Sequence, residues 1–517
     1  MTRMTKRKRW AIAVATVLGV AALGGGAGVG VHYWSDLNAT CRNSGATIVT
    51  KGRDGKCAGV TDGSFNFLPG NAAFTSVIRK IQAEDQRVAR PGNLYASVAY
   101  LLPVSPSGVE KVQVMTEQLE GAYTEQMYAN RNSVAGHNPP VQLLIASDGD
   151  QGTDWTTAVR NIEHEAAGQH LVAVAGLGVS LDSTTDAVRR LTHAGIPVVG
   201  STVTSDDYDH INGMFRVSSN NKADVAAVLQ YVAPTFRSAI VINDTNPHDS
   251  YDKTLVQEFG PGFTSFARHS LENTFRYNTN AGPGESGSAA LENATNAIDG
   301  IPDTICADKG SVVLFAGRGK ELAQLLGDLA SRCENQPITI VSGDDVTNMP
   351  WSRGVQRALH HVTLYYAGAA NPYEWDTGSC PAIASGRQAF QTFNSSFTRF
   401  AAAHESPAAA EAMIADGDAI MGYDAMLTTT SAIRRASATD PTAAGVMAQL
   451  PTLQGAHTVQ GASGFIALSS SGTNPSSKAI PILQYQADSS ITFRKLYWPT
   501  APEGELGQAA DLTRTCP

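Results

Sequence analysis

From Asn93 onward the spacing of apolar positions alternates between two periods. The short runs LYASVAYLLPV (94–104), VQLLIA (141–146), LVAVA (171–175) and IPVV (196–199) read as buried strands. Between them Val112, Met115, Leu119, Ala122, Tyr123 and Met127 recur at three- and four-residue spacing on one helix, and segments 155–167 and 184–194 give two more. A second series starts near Met214: a helix over 223–231, a strand AIVIN (239–243), a helix over 253–259 and a strand over 264–268. A polar, Gly-rich excursion over 273–299 precedes a strand SVVLF (311–315), a helix over 322–331, and strands ITIV (338–341) and HVTLYYA (361–367). Helices over 386–404 and 417–436 follow, and residues 453–498 break into short β segments. Upstream, Val77, Ile78, Ile81 and Val88 mark a helix over 74–89 that Pro91-Gly92 closes. Strand–helix alternation of this kind predicts an α/β fold of right-handed βαβ units with parallel sheets, arranged as two lobes.

The N-terminus departs from this pattern. Residues 1–9 hold Arg3, Lys6, Arg7, Lys8 and Arg9 without an acid, and Trp10–Val31 is an uncharged stretch of 22 residues. As a helix it would reach about 33 Å, enough for a bilayer core of about 30 Å. The upstream basic residues would hold the N-terminus in the cytoplasm and place the body outside. Two readings stay open: an uncleaved single-pass anchor over 10–32, flanked by Trp10, Tyr33 and Trp34, or a cleavable signal that releases a secreted protein.

Composition adds three constraints. The 517 residues are 42% hydrophobic, ample for real cores, and only 16% charged, so much of the surface is Ser, Thr, Asn, Gln and Gly. The net charge is −9, and with the local +5 of residues 1–9 set aside the body stands at −14. An acidic body without a basic, aromatic-laced stripe excludes nucleic acid as the expected partner. Six cysteines (Cys41, Cys57, Cys306, Cys333, Cys380 and Cys516) suit disulfides in an oxidising compartment, and none forms a CxxC pair for zinc. Of their 15 pairings, joining sequence neighbours gives Cys41–Cys57, Cys306–Cys333 and Cys380–Cys516.

Catalytic and cofactor motifs fail on spacing. His164-Glu165 opens like HExxH, but position 168 is glycine. GxSxG is absent, and AGRGKE lacks the upstream glycine of a P-loop. Asp148–Asp154 imitates the start of a calcium loop, yet its twelfth position is Val159 where a glutamate is needed. Neither an enzyme, a cofactor nor a metal site is expected.

Three stretches carry a family resemblance. They are LEGAYTEQMYAN (119–130) after YLLPVSPSG, then MFRVSS (214–219) with AIVIND and NPHDSYDKTLVQEF, and DAIMGYDAMLTTTSAIRRA (418–436) with QGASGFIALSSSG. Together, over residues 93–498, they resemble the type 1 periplasmic ligand-binding proteins, the branched-chain amino-acid-binding class that serves ABC importers. The resemblance implies two Rossmann-like lobes joined by crossovers near 205–220, 350–362 and 455–470. Lobe 1 would take 93–205 and 362–455, and lobe 2 would take 214–355 and 456–500. Residues 33–92 would form a juxtamembrane segment, and 501–517 a tail.

The resemblance also implies a small-molecule, amino-acid-like ligand in the cleft, with an ABC permease as partner. Ser180, Thr202 and Thr204 match the first-lobe hydroxyls that receive a ligand carboxylate, or they cap the following helices. Tyr251 stands where the family uses an aromatic ring, or it is an ordinary loop tyrosine. Asp344 occupies the place of an acid for the ligand's ammonium group, with Asp345 beside it. Arg318 departs from the pattern: it would bind a second acidic group, or pair with Asp344 and neutralise it. A membrane-anchored sensor using the same fold without transport is the rival reading.

Overall fold

The computed structural model describes residues 41, 47–52, 55–104, 111–131, 138–168, 170–268, 271–280, 287–308, 310–333, 336–376, 381–470 and 472–498. The N-terminal basic run, the apolar stretch, Cys380, Cys516 and the tail lie outside them. Among the described residues no helix is long and apolar enough to cross a membrane.

Two seven-stranded sheets organise the chain. The first half runs β1 (Ile48–Lys51), β2 (Cys57–Thr61), α1 (Ala72–Val88), β3 (Ala96–Leu102), α2 (Val112–Arg131), β4 (Val141–Ser147), α3 (Trp155–Gly168), β5 (Leu171–Gly176), α4 (Asp182–His193), β6 (Val198–Gly200) and β7 (Met214–Arg216). Its sheet has the order β1-β2-β4-β3-β5-β6-β7. From β4 to β7 every neighbour is parallel, and β1 and β2 add an antiparallel edge. Strands β3 and β4 are buried along their whole length, as a parallel strand covered by helices on both faces must be.

The second half runs α5 (Asn221–Val232), β8 (Ser238–Asp244), α6 (Ser250–Ala267), β9 (Leu271–Tyr277), α7 (Gly287–Asp299), α8 (Pro302–Ala307), β10 (Ser311–Ala316), α9 (Gly319–Arg332), β11 (Ile338–Ser342), α10 (Arg353–Ala358) and β12 (Val362–Ala367). The chain then returns to the first lobe through α11 (Pro381–Phe400), α12 (Pro407–Ala412), α13 (Asp418–Ala436) and α14 (Ala443–Gln449). A small sheet of β13 (Val459–Gly461), β14 (Gly464–Ser469) and β15 (Gly472–Ser476) leads into β16 (Ile480–Tyr485) and β17 (Ile491–Tyr497). The second sheet has the order β17-β16-β12-β11-β10-β8-β9, again a parallel body with a two-stranded antiparallel edge. The doubly wound α/β architecture expected from the alternation is therefore present twice.

Several expected boundaries shift. Strand β12 pairs in parallel with β11, from Ile338↔Val362 to Ser342↔Tyr366, and antiparallel with β16, so residues 362–367 belong to the second sheet and not to lobe 1. Conversely β7, placed in lobe 2 from residue 214, pairs with β6 in the first sheet. The crossovers thus fall after Arg216, after Ala367 and after Ser476. An apolar run shows that a strand exists, but the run alone does not say which sheet receives it.

Residues 47–52 and 55–92 are part of the first lobe and not a separate juxtamembrane segment. Val49 and Val60 are fully buried, and Asn161 of α3 donates to the Ile48 carbonyl at 2.9 Å. Helix α1 buries Phe74, Val77, Ile78 and Ile81, and its Asp85 accepts from the Leu143 amide at 3.0 Å. The segment 264–268, expected as a strand, continues α6, because Phe259 and Phe263 lie four apart and carry one buried face past Pro261. The excursion over 273–299 holds most of β9 and all of α7. Disulfides join Cys41 to Cys57 and Cys306 to Cys333, with Cα separations of 5.6 and 5.3 Å.

Two buried cations lie at the crossovers. Arg216 at the end of β7 is fully buried and donates to Asn474 of β15 (2.5 Å), to the Val203 and Ser205 carbonyls (3.1 and 2.8 Å) and to Asp209 (2.5 Å). Lys478, between β15 and β16, donates to the Ser463 carbonyl at 2.5 Å, while Asp424 of α13 accepts from the Ala462 and Ser463 amides. Every connection between lobes that leaves β7 or enters β16 is thus pinned by a buried charge.

Helices α2 and α13 meet backbone to backbone. A methyl group on Gly121 would lie 1.9 Å from the Ala419 carbonyl oxygen, and one on Gly422 would lie 2.1 Å from that of Gln118. Neither obstacle is a flexible side chain. Gly422→Ala therefore has to push two helices apart, at a cost of about 1–3 kcal/mol. Urea unfolding should show a lower midpoint with an unchanged slope, and an unchanged midpoint would contradict this close crossing.

Candidate functional site

Both sheets reverse their winding at the first parallel strand in chain order, β3 in the first and β8 in the second, and open a crevice at the strand carboxyl ends. The loops at those ends face each other. From the first lobe come Gly178–Ser180 after β5, Thr202 and Thr204 after β6, and Asp416-Gly417-Asp418 before α13. From the second come Tyr251 at the start of α6, Arg318 after β10, Asp344–Asn348 after β11, and Tyr366 and Gly368 at the end of β12. All six side chains expected at the site, Ser180, Thr202, Thr204, Tyr251, Arg318 and Asp344, line this one cavity.

Arg318 lines it from the second lobe. Nε and Nη2 donate to the two oxygens of Asp249, each at 2.8 Å, in a bidentate fork. Nη1 reaches Asp345 at 3.3 Å, and Nη2 also donates to the Ser180 carbonyl of the opposite lobe at 2.9 Å. The guanidinium carbon lies 4.5 Å from the centre of the Tyr251 ring. Burial opposes the charged form of Arg318, but Asp249, Asp345 and Asp252 outweigh it and hold the guanidinium's pKa well above its ordinary value. The expected partner, Asp344, is not the one used: Arg318 pairs with Asp249 and Asp345.

Each partner is itself positioned. Asp249 caps α6, accepting from the Tyr251 and Asp252 amides at 3.1 and 3.2 Å. Asp345 accepts from the Gly319 amide at 2.6 Å and from Asn348 at 3.1 Å. Tyr251 is buried, its hydroxyl accepts from the Asp345 amide at 3.2 Å and hydrogen-bonds the Asp344 carboxylate. Its ring therefore supports Arg318 and the acid pair.

The first-lobe hydroxyls are engaged locally. Ser180 Oγ accepts from the Thr204 and Ser205 amides at 3.2 and 3.3 Å, which stitches two strand-end loops together. Thr202 donates to the Gly178 carbonyl at 3.0 Å. Gly417 adopts φ +93°, and a methyl group there would meet the Ala370 carbonyl at 2.4 Å, so glycine lets the acidic pair Asp416 and Asp418 sit at the head of α13. Lys111 bridges the lobes, donating to the Thr347 and Met349 carbonyls at 2.9 and 2.7 Å.

Acids crowd the walls. Burial, and then the charge of Asp345, lift Asp344 from 3.8 to about 7. Glu117 of α2 is raised by burial and by the charge and hydrogen bond of Asp416, whose own carboxyl burial also raises, so the two hold one proton between them. Asp249, Asp416, Asp418, Tyr366 and Lys111 escaped the sequence reading. Asp249 had a readable signal, an N-cap aspartate between a strand and a helix, and Asp416-Gly-Asp418 had one in its place before the 417–436 helix.

With the lobes in contact the cavity measures about 40 Å³, room for a few water-sized groups. A larger guest has to enter with the lobes apart. The arrangement suits enclosure between two hinged surfaces.

No family model matches the chain, and no curated protein matches it in sequence. Solved structures do match. The branched-chain amino-acid transporter substrate-binding protein LivJ from Streptococcus pneumoniae, in complex with isoleucine, is 14% identical with a TM-score of 0.54, covering 78% of this chain and 100% of that one. An ABC transporter substrate-binding protein from Desulfitobacterium hafniense, complexed with Leu, is 16% identical with a TM-score of 0.53, over 78% and 100%. A solute-binding protein of an ABC transporter from R. palustris, in complex with benzoate, gives 16%, 0.53, 80% and 99%. At these identities the likeness shows a shared fold.

The elevated Asp344 has a sign that can be checked. The folded chain holds a proton there that the unfolded chain releases above pH 3.8. The stability it contributes is complete below that pH and lost as pH rises through about 7. The thermal midpoint should therefore be higher at pH 5 than at pH 8, and Asp344→Asn should narrow the gap by raising the pH 8 value. A gap that the substitution leaves unchanged would contradict the assignment.

Proposed function

Proceeding from that type 1 periplasmic binding fold, we propose that this chain is an extracytoplasmic solute-binding protein that captures a small, polar, amino-acid-like ligand by closing two lobes. The observation that carries the reading is the interlobe cavity at the strand carboxyl ends, with Ser180, Thr202 and Thr204 on one side and Tyr251, Arg318 and Asp344 on the other. Lys111, Arg318 and Asp182 already bond across the cleft, Asp182 through its amide to the His248 carbonyl at 3.1 Å, so a closed state has direct support. Transfer to an ABC permease is the role this architecture serves best: closure creates a surface that an open receptor lacks, and a partner can read it.

The basic residues before Trp10–Val31 and the two disulfides support a body outside the cytoplasm. Residues 10–32 serve as the anchor in this reading, because the apolar stretch is long enough to span a bilayer. An anchored sensor is the second reading, favoured by that same length, since a diffusing carrier has no use for a span. The intact mass of the mature protein separates an anchor from a cleaved signal.

The ligand-binding claim has a direct test. Full-length protein is screened by thermal shift against amino acids, amides and small carboxylic acids. A ligand at 100 times its Kd should add about 2.7 kcal/mol of stability. No shift anywhere in the panel would overturn the solute-binding role.

A further inference from the structure

The charges of the cleft are unbalanced, and the imbalance names a ligand class. Resting on the solute-binding reading, we propose that the ligand is a small organic cation, a primary amine or diamine, whose ammonium group is received by Asp344 of one lobe, Asp416 of the other and the hydroxyl of Tyr366. A net-neutral aliphatic amino acid does not satisfy this cleft.

The cationic donors present are committed. Arg318 spends four N–H groups on Asp249, Asp345 and the Ser180 carbonyl. Lys111 bonds two backbone carbonyls, and the hydroxyl of Thr202 bonds Gly178. Ser180 Oγ accepts from two amides. A ligand carboxylate would find few free donors among them.

Acceptors are in excess. Asp344, Asp345, Asp416 and Asp418 line the cavity, against Arg318 as the lining cation. Arg318 is already matched by the bidentate Asp249, and even with Lys111 acting on Asp345, Asp416 and Asp418 from beside the cavity the acids outnumber the cations. An anion or the carboxylate of a zwitterion would meet like charge there, whereas an ammonium supplies the missing counter-charge.

A second observation points the same way. The Tyr366 ring is fully buried, lines the cavity, and its hydroxyl has no hydrogen-bond partner among the described residues. A buried hydroxyl left so costs about 1–3 kcal/mol. Asp416, Asp418 and Asp344 act on it electrostatically, so it stands among these acids. An ammonium has three donors, which matches a phenol oxygen and one carboxylate from each lobe. A cation bound this way would itself join the lobes.

Isothermal titration of the full-length chain with 1,4-diaminobutane, n-butylamine, leucine and butyrate tests this. The amines should bind one to one, with leucine and butyrate at least tenfold weaker. Tyr366→Phe, which keeps the ring, and Asp416→Asn should each weaken amine binding about tenfold while the circular dichroism spectrum is retained. Leucine or butyrate binding more tightly than the amines would overturn the cation class and leave the solute-binding reading standing. Amine binding that neither substitution changes would overturn the assignment to this cavity. No heat with any of the four probes also overturns the inference, and the broader thermal-shift panel then judges the solute-binding reading on its own.

Discussion

The guanidinium of Arg318 is the group on which the cleft depends. It lies between two aspartates of its own lobe, against the face of Tyr251, and donates across the gap to the Ser180 carbonyl. An arginine desolvated to this degree is tolerated because its planar fork meets Asp249 with two parallel hydrogen bonds. Asp249 in turn caps α6, and Asp345 ties down the first amide of α9. One charge thus aligns two helices and a strand end of the second lobe, and positions that lobe against the first.

The scaffold explains why such a site forms where it does. Parallel strands place all their carboxyl ends on one edge, and two doubly wound sheets facing each other bring seven or more loops to one crevice. The first lobe is braced from behind by α2 and α13, whose backbones touch at Gly121 and Gly422, and α13 delivers Asp416 and Asp418 to the cavity. Arg216 and Lys478 hold two of the three crossovers, so motion of one lobe on the other is concentrated in a few connections. Rigid lobes with narrow connections are the design that turns a ligand's contacts into closure.

Much of this was readable in the sequence, for a physical reason. Buried parallel strands are short apolar runs, and the residues just beyond them reach the crevice, so the family resemblance laid over those strand ends led to Ser180, Thr202, Thr204, Arg318 and Asp344. Other features follow from contacts that are distant in sequence. The pairing of β12 with β16 spans more than a hundred residues and leaves no mark on HVTLYYA. The edge strands β1 and β2 are short and lie in a Gly- and Thr-rich stretch, held by α3 and by the Thr47–Thr61 hydroxyl pair at 3.0 Å, and pattern alone reads them as linker. The helix expected over 253–259 runs on past Pro261 because Phe259 and Phe263 share one buried face. Roles are harder still: Ser180 was expected to face a ligand and spends its oxygen on two amides, while Tyr366 looked like an ordinary strand residue and carries the unpartnered hydroxyl.

The central claim is that one ligand is held by both lobes at once. Hydrogen exchange of the full-length chain, with and without a saturating ligand found in the thermal-shift panel, tests it most directly. The account predicts simultaneous slowing at residues 178–180 and 416–418 of the first lobe and at 344–348 of the second. Protection confined to one lobe, or located away from the cleft, would contradict it.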